Sequence, residues 1–264
     1  MKRTKEELME AVRQHHQLVE QAGYHVVMTS LVGSQNYELD DEYSDVDTYS
    51  LVFPSFEDLV YAEKPLANIL PTEDGNCYVK DMRSALYLLY HTSPNSVEYF
   101  VSDYKVYNPL YQDIFDEYLV DNCYNSKLWY MLHSNYEHMF EAMAGMAKQL
   151  TLRNMPAGKR YSHALRLQDM SERFLNDITS RNLLKFLTSK RTEKARKAKR
   201  DSENEQFYNS ECLAIAEELK QLKSKYSNDL TEDIQVNGLM LIKEFQTKLF
   251  ARYLKHLVEN KNEL

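Results

Sequence analysis

The sequence predicts an α+β fold, with a mixed sheet and flanking helices in the N-terminal part and helices in the C-terminal part. Up to about residue 110, short runs rich in β-branched and aromatic residues alternate with helical patterns. Beyond this point the pattern is helical almost throughout, with breaks at residues 154–158 and 227–229. We therefore expect an α/β domain over residues 1–110 and a helical domain over residues 111–264.

The first elements are defined by their end signals. Thr4 and Glu7 form a capping-box pattern, and apolar residues at helical spacing follow it as far as Gly23, which predicts an opening amphipathic helix. Residues 25–31 are rich in branched side chains and predict a buried strand, followed by a loop and a short helical turn over residues 36–39. Residues 46–53 predict the second strand, which Pro54 ends.

The next segment, up to Pro71, has no clear periodicity, and we interpret it as helix and loop. Residues 77–80 then predict a short third strand, followed by a helix that carries Met82, Leu86 and Leu89. After the break at Pro94, a further helix and a last strand at residues 104–107 complete the α/β part.

Composition sets outer limits on function. The chain of 264 residues is 43% hydrophobic and carries a formal net charge of -8, so it can bury a core but cannot coat nucleic acid by bulk charge. The cysteines, Cys77, Cys123 and Cys212, are far apart and indicate neither a disulfide framework nor a zinc site. A charged N-terminal segment and the lack of a long apolar stretch predict a cytoplasmic protein without a membrane span.

An acidic pair lies where the second strand begins. Asp45 and Asp47 flank Val46, so in a strand both carboxylates project from one face while Val46 turns into the core. Two such carboxylates can share Mg²⁺ or Mn²⁺ ions about 3.5 to 4 Å apart, the arrangement used in phosphoryl transfer. Upstream, Gly33 permits close backbone approach and Ser34 adds a hydroxyl and an N–H group beside a helix start, which suits a phosphate.

Two cationic features follow in the helical part. Lys159, His163 and Arg166 have the spacing of one helix face and can clamp a triphosphate, although a surface helix with a structural histidine has the same spacing. A basic run extends from Arg181 to Arg200 and is densest from Lys190 onward. It is the best candidate for contacts with an RNA or tRNA backbone, and a solvated surface helix is the alternative.

Three blocks of residues together resemble the DNA-polymerase-β-type nucleotidyltransferases, and specifically the RlaP-like group of predicted RNA-repair-associated transferases. The first block is Gly33-Ser34, Tyr37, Leu39, Ser44-Asp45-Val46-Asp47 and Pro54. The second is Asp81-Met82-Arg83, Pro94-Asn95 and Val97-Glu98, and the third is Lys159-Arg160 with His163-Ala164-Leu165-Arg166-Leu167. The resemblance covers roughly residues 31–178.

The resemblance implies a polymerase-β-like sheet that transfers a nucleoside monophosphate from an NTP to an acceptor hydroxyl. It assigns Asp45 and Asp47 as metal ligands for Mg²⁺ or Mn²⁺ and places Gly33 and Ser34 against the triphosphate, with the helical part completing the cleft. An RNA end, a tRNA, a protein side chain and a small metabolite remain open as acceptors.

The resemblance also implies a third carboxylate on a neighbouring strand, and its expected place falls on neutral Asn76. Asp74 and Asp81 are the nearby acids, and Asp81 is our candidate catalytic residue. Because a neutral amide binds metal weakly, an alternative hypothesis is a nucleotide-sensing or partner-binding protein that has lost turnover. A further hypothesis is a helical interaction module in which the acidic stretch solvates a sheet edge.

Overall fold

Five strands form one mixed sheet in a computed structural model that describes residues 3–37, 39–40, 44–61, 64–120, 126–176, 191–201, 203–226 and 232–260. The strands are β1 (His25–Val32), β2 (Asp47–Phe53), β3 (Ala67–Pro71), β4 (Asn76–Asp81) and β5 (Lys105–Tyr107). Their order across the sheet is β3-β4-β2-β1-β5. The predicted α+β class and mixed sheet are confirmed.

The pairing of the central strand brings three chain segments to one end of the sheet. β2 runs antiparallel to β1, with Asp47 opposite Val32. It runs parallel to β4, with Thr48 opposite Cys77. The same end of the sheet therefore carries the start of β2, the start of β4 and the loop that leaves β1.

Two predicted features differ from the structure. β3 was expected to be helix or loop, but it pairs antiparallel with β4 at the edge of the sheet. Its side chains are mostly exposed on both faces, so its sequence lacks the alternation that marks a half-buried strand. The loop after Gly33 forms a turn over residues 34–37 instead of the predicted helical turn, and Leu39 N donates to the Ser34 carbonyl.

Helices surround the sheet, and turns, loops and one short 3-10 helix (Pro109–Tyr111) connect the elements of the described chain. The first helix has the predicted Thr4–Glu7 capping box. The helices are α1 (Lys5–Gln21), α2 (Phe56–Val60), α3 (Met82–Tyr90), α4 (Pro94–Val101), α5 (Gln112–Leu119), α6 (Lys127–His133), α7 (Tyr136–Leu150), α8 (Ala157–Asn176), α9 (Thr192–Lys199), α10 (Glu205–Tyr226) and α11 (Glu232–Glu259). None of the helices within the described ranges is long and apolar enough to cross a membrane.

The elements after β5 are helical, apart from turns and loops, wherever the structure describes them. α7, α8 and α10 pack against one another, α9 packs on α8, and α11 returns to α3, α5 and α6. The Tyr253 hydroxyl on α11 donates to the Pro54 carbonyl at 2.5 Å. One buried cluster runs from sheet residues such as Leu51 to helix residues such as Trp129 and Phe245, so the two parts share a core. The division into two domains stays a prediction.

Candidate functional site

A cavity of about 470 Å³ lies at the end of the sheet where β1 stops and β2 starts. One wall comes from the loop after β1 and the residues that open β2, and the other comes from α8, the connection before it, and the end of α9. Seven of the eight residues singled out from the sequence line it: Gly33, Ser34, Asp45, Asp47, Lys159, His163 and Arg166.

The acidic wall is built as the sequence alternation predicted. Asp45 is exposed, Asp47 is half-buried, and Val46 between them is fully buried in a cluster with Leu8 and Val12 of α1. Asp47 Oδ1 accepts hydrogen bonds from Asn76, at 3.2 Å from its backbone nitrogen and 3.5 Å from its Nδ2. Burial raises the pKa of Asp47, and the bonds from Asn76 partly offset that rise.

Gly33 lets the loop lie directly against this carboxylate. Its φ of +80° falls in the left-handed region that favours glycine, and a Cβ at Gly33 would stand 3.8 Å from Asp47 Oδ2. The Gly33 N–H group donates to Glu98 Oε1 at 2.6 Å. The predicted phosphate cradle therefore cannot use this N–H group without breaking its bond to Glu98.

Glu98 joins the loop to the helical part, a role that the sequence did not reveal. This buried α4 carboxylate lies 3.9 Å from Arg166 Nη1 on α8. The Arg166 guanidinium also stacks on Tyr37, with Cζ 4.1 Å from the ring centroid. Burial raises the pKa of Glu98, while the positive charge of Arg166 and the Gly33 hydrogen bond act in the opposite direction. Arg166 is thus held in place by Glu98 and Tyr37.

The opposite wall is cationic. Lys159 and Arg153 are exposed side chains that line the cavity. Lys199, at the end of α9, donates to Ser44 Oγ at 3.1 Å and to the Leu39 carbonyl at 3.3 Å, so it bridges to the segment before Asp45. Together with Arg166, these residues make four cationic side chains that face two carboxylates. The cavity is a locally positive site in an acidic chain.

His163 lines the cavity without adding charge. Burial, with the nearby Arg166 and Lys159 cations, lowers the pKa of His163 to about 3. The imidazole is therefore neutral at pH 7 and can serve as a hydrogen-bonding group only. The cationic face expected of Lys159, His163 and Arg166 has two charges in place of three.

Gly158 allows the helix that carries these residues to touch α9. A Cβ at this position would come within 1.8 Å of the Ala198 carbonyl oxygen and 2.3 Å of the Asp201 carbonyl oxygen. The sequence marked residues 154–158 as a break, whereas α8 already begins at Ala157. The close approach brings Lys199 to the cavity.

Asp81, the candidate catalytic residue, does not line the cavity. In the parallel register Asp81 lies opposite Val52, at the far end of β2 from Asp47. It is fully buried, caps α3 by accepting from Arg83 N at 2.8 Å, and forms an ion pair with Arg83 Nη2 at 2.7 Å. Strand register decides this placement, and register was not readable from the sequence.

Asp74 does not supply the expected third carboxylate either. It lies in the turn before β4, forms an ion pair with Arg3 at 2.7 Å, and does not line the cavity. The residue beside Asp47 on the neighbouring strand is Asn76, where the third carboxylate was expected.

The acidic pair fits a metal ion that arrives with a phosphate ligand. Among the described residues there is no group of three or more His, Cys, Asp or Glu side chains arranged to hold a metal. Mg²⁺, however, is commonly held by one or two carboxylates, with substrate phosphates and water completing its shell. Asp45 and Asp47 can provide the carboxylates, and the facing cations can bind the phosphates.

The basic run contributes to the site through its end. Of its described residues, Lys199 lines the cavity, whereas Lys194 Nζ lies 5.3 Å from the Tyr161 ring centroid and exposed Lys197 pairs with Glu193. Arg181, Lys185 and Lys190 lie outside the described residues. Contact of this run with RNA stays a prediction.

No family model matches the chain, and a search of curated proteins also gives no match.

Proposed function

We propose that the chain is a metal-dependent nucleotidyltransferase that moves a nucleoside monophosphate from an NTP to an acceptor hydroxyl. The observation that carries this proposal is the cavity itself, where the carboxylates of Asp45 and Asp47 face Arg153, Lys159, Arg166 and Lys199. A triphosphate bound with Mg²⁺ or Mn²⁺ has the matching charge pattern, because its metal needs oxygen ligands and its terminal phosphates need cations. The resemblance to polymerase-β-type transferases supports the same assignment.

In this proposal the role of each residue follows from its charge. Lys159, Arg153 and Lys199 bind the phosphates, and Arg166 is kept in a fixed orientation by Glu98 and Tyr37. Neutral His163 donates or accepts a hydrogen bond. Asp45 and Asp47 would hold a metal ion, which would supply charge stabilisation at the reacting phosphate.

The transfer forms one bond and breaks one. The acceptor oxygen attacks the α-phosphorus, the bond from that phosphorus to the bridging oxygen breaks, and pyrophosphate leaves with the displaced electron pair. The hydroxyl proton passes to water. Arg166 would lower the barrier because Glu98 and Tyr37 already hold its guanidinium in place, so its charge needs no reorganisation as pyrophosphate leaves.

Asn76 favours one alternative, a protein that binds a metal-nucleotide complex without turning it over. Its amide, and not a carboxylate, stands beside Asp47. With two acids instead of three, the site retains ligands for one metal more readily than for two. Nucleotide binding without transfer would then be the function of the same cavity.

The test uses each of four NTPs labelled at the α-phosphate, with Mg²⁺ or Mn²⁺, and total RNA or total protein as acceptors. We expect label to appear in an acceptor with the wild-type chain and with an Asp233→Asn control, and to be lost in an Asp45→Asn/Asp47→Asn double variant. Labelling that persists in the double variant contradicts the catalytic assignment. Metal-dependent NTP binding without labelling of any acceptor supports the binding alternative.

A further inference from the structure

An aromatic and basic surface continues along the sheet from the acidic pair. Side chains alternate along a strand, so Tyr49 lies on the same face of β2 as Asp47, and Tyr78 and Lys80 lie on that face of β4 beside Asn76. Tyr49 and Tyr78 are stacked with their ring centroids 5.2 Å apart, and both are half-buried. We call Tyr49, Tyr78 and Lys80 the β4 surface.

This surface is close to the acidic pair. Tyr78 follows Asn76 by two residues in β4, which corresponds to a distance of about 6.6 Å along the strand. Burial raises the pKa of Tyr78, and the negative charges of Asp47 and Asp45 raise it further, so its hydroxyl lies within electrostatic reach of both carboxylates. A molecule with its reactive end at Asp47 would place its next unit over the tyrosines.

Lys80 is a half-buried cation on this surface. Its Nζ lies 5.7 Å from the Tyr49 ring centroid and 5.9 Å from that of Tyr99. Burial lowers the pKa of Lys80, and the structure assigns it no ion pair with any described carboxylate. Because a half-buried charge without a counter-ion is costly, the arrangement favours an anionic ligand.

The β4 surface leads into an open groove of about 470 Å³ between β4 and α3. Lys80 lines the groove together with Arg83 and Tyr87. Tyr87 is 63% exposed, a large fraction for an aromatic side chain. The groove therefore adds an exposed aromatic ring at a greater distance from Asp47, beside Arg83, whose guanidinium is paired with Asp81.

We infer that the β4 surface and the groove beyond it bind the acceptor, and that the acceptor is a single-stranded nucleic acid. This inference rests on the proposed transferase function. Aromatic rings beside basic residues along an open track bind single strands, because each base can stack on a ring while cations follow the phosphates. The terminal hydroxyl would lie at Asp45 and Asp47, with the preceding nucleotides over Tyr78 and Lys80. A small metabolite or a protein side chain would need no such track.

The test measures fluorescence anisotropy of a 5′-labelled single-stranded RNA with the full chain, using a Tyr78→Leu and a Lys80→Gln variant. Lys5→Gln, on the helix that covers the other sheet face, is the matched control, and Lys197→Gln tests the basic run. We expect Tyr78→Leu to weaken binding about tenfold. Lys80→Gln is expected to weaken it and to reduce the salt slope by about one. The Lys5→Gln control should bind as wild type.

A parallel titration of NTP with Mg²⁺ separates this inference from the proposed function. If Tyr78→Leu and Lys80→Gln keep wild-type NTP affinity and lose RNA affinity, the β4 surface is the acceptor site. RNA binding that is unchanged in both variants and lost in Lys197→Gln overturns the inference, as does binding of the NTP but of no single strand. If Tyr78→Leu unfolds, judged by circular dichroism, Lys80→Gln alone decides.

Discussion

Asn76 directs both its backbone nitrogen and its side-chain Nδ2 at the same oxygen of Asp47, at 3.2 Å and 3.5 Å. The strand register that produces this contact also makes Asn76 the neighbour of the acidic pair on β4. A neutral donor thus occupies the position from which a third carboxylate would reach the same ligand. The two hydrogen bonds hold the Asp47 carboxylate against the start of β4.

Replacing Asn76 with Asp is expected to strengthen metal binding. A carboxylate beside Asp47 adds a hard oxygen ligand and a negative charge, so Mn²⁺ affinity should rise about tenfold or more. Isothermal titration of Mn²⁺ measures the change, and Asn68→Asp on exposed β3 is the matched control. An unchanged affinity in Asn76→Asp would show that residue 76 does not face the metal. Transfer activity that appears only in this variant would favour the binding alternative for the wild type.

Replacing Lys159 with Gln is expected to weaken triphosphate binding. Lys159 is an exposed cation on the cavity wall, and a hydrogen bond to a charged group contributes about 1.5 to 3 kcal/mol. NTP affinity in the presence of Mg²⁺ should therefore fall about tenfold or more, by titration calorimetry. Lys148→Gln removes an equally exposed charge from α7, outside the cavity, and should have no effect. Equal losses in the two variants would contradict a local role for Lys159.

Replacing Glu98 with Gln is expected to destabilise the fold. The amide oxygen can still accept from Gly33, but buried Arg166 loses its counter-charge. We expect the free energy of unfolding in urea to fall by about 1 to 3 kcal/mol. Glu193→Gln, which removes an exposed pair with Lys197, should leave the free energy of unfolding close to that of the wild type. A Glu98→Gln variant as stable as wild type would show that the contacts of Glu98 with Gly33 and Arg166 do not contribute to the free energy of unfolding.

Acid is expected to destabilise the chain through His133. This histidine is fully buried between Trp129 and Phe174, and burial lowers its pKa to about 3. Because the unfolded chain binds the proton more readily, stability is fully present above the unfolded pKa of 6.5 and is lost as the pH falls toward 3. The slope is about 1.4 kcal/mol per pH unit for this residue alone.

The melting temperature measured between pH 7 and pH 4 checks this expectation. His133→Phe keeps the stacking and removes the titration, so its melting temperature should depend less on pH than that of the wild type. Identical pH profiles for the two chains would contradict the role of His133 in acid sensitivity.

The features that the sequence predicted and the structure contains depend on local signals. The capping box at Thr4 and the alternation around Val46 involve neighbouring residues, and both are present in the structure. The contacts that complete the site join distant segments: Glu98 meets Gly33 across 65 positions, and Lys199 meets Ser44 across 155. No local pattern marks such pairs. The sequence of β3 has no periodicity because its side chains are mostly exposed. The position of Asp81, opposite Val52 and away from Asp47, is set by the register between β4 and β2, which no local pattern shows.

The central claim is that Asp45 and Asp47 hold a divalent metal for a triphosphate bound by the facing cations. The most direct test is the NTP affinity of the wild-type chain and of Asp45→Asn/Asp47→Asn, each measured with Mg²⁺ and with a chelator. We predict that the double variant binds NTP about tenfold or more weakly with Mg²⁺. Without metal it should bind at least as well as wild type, because two repelling carboxylates are gone. Affinities that are equal in the two chains under both conditions would contradict the claim.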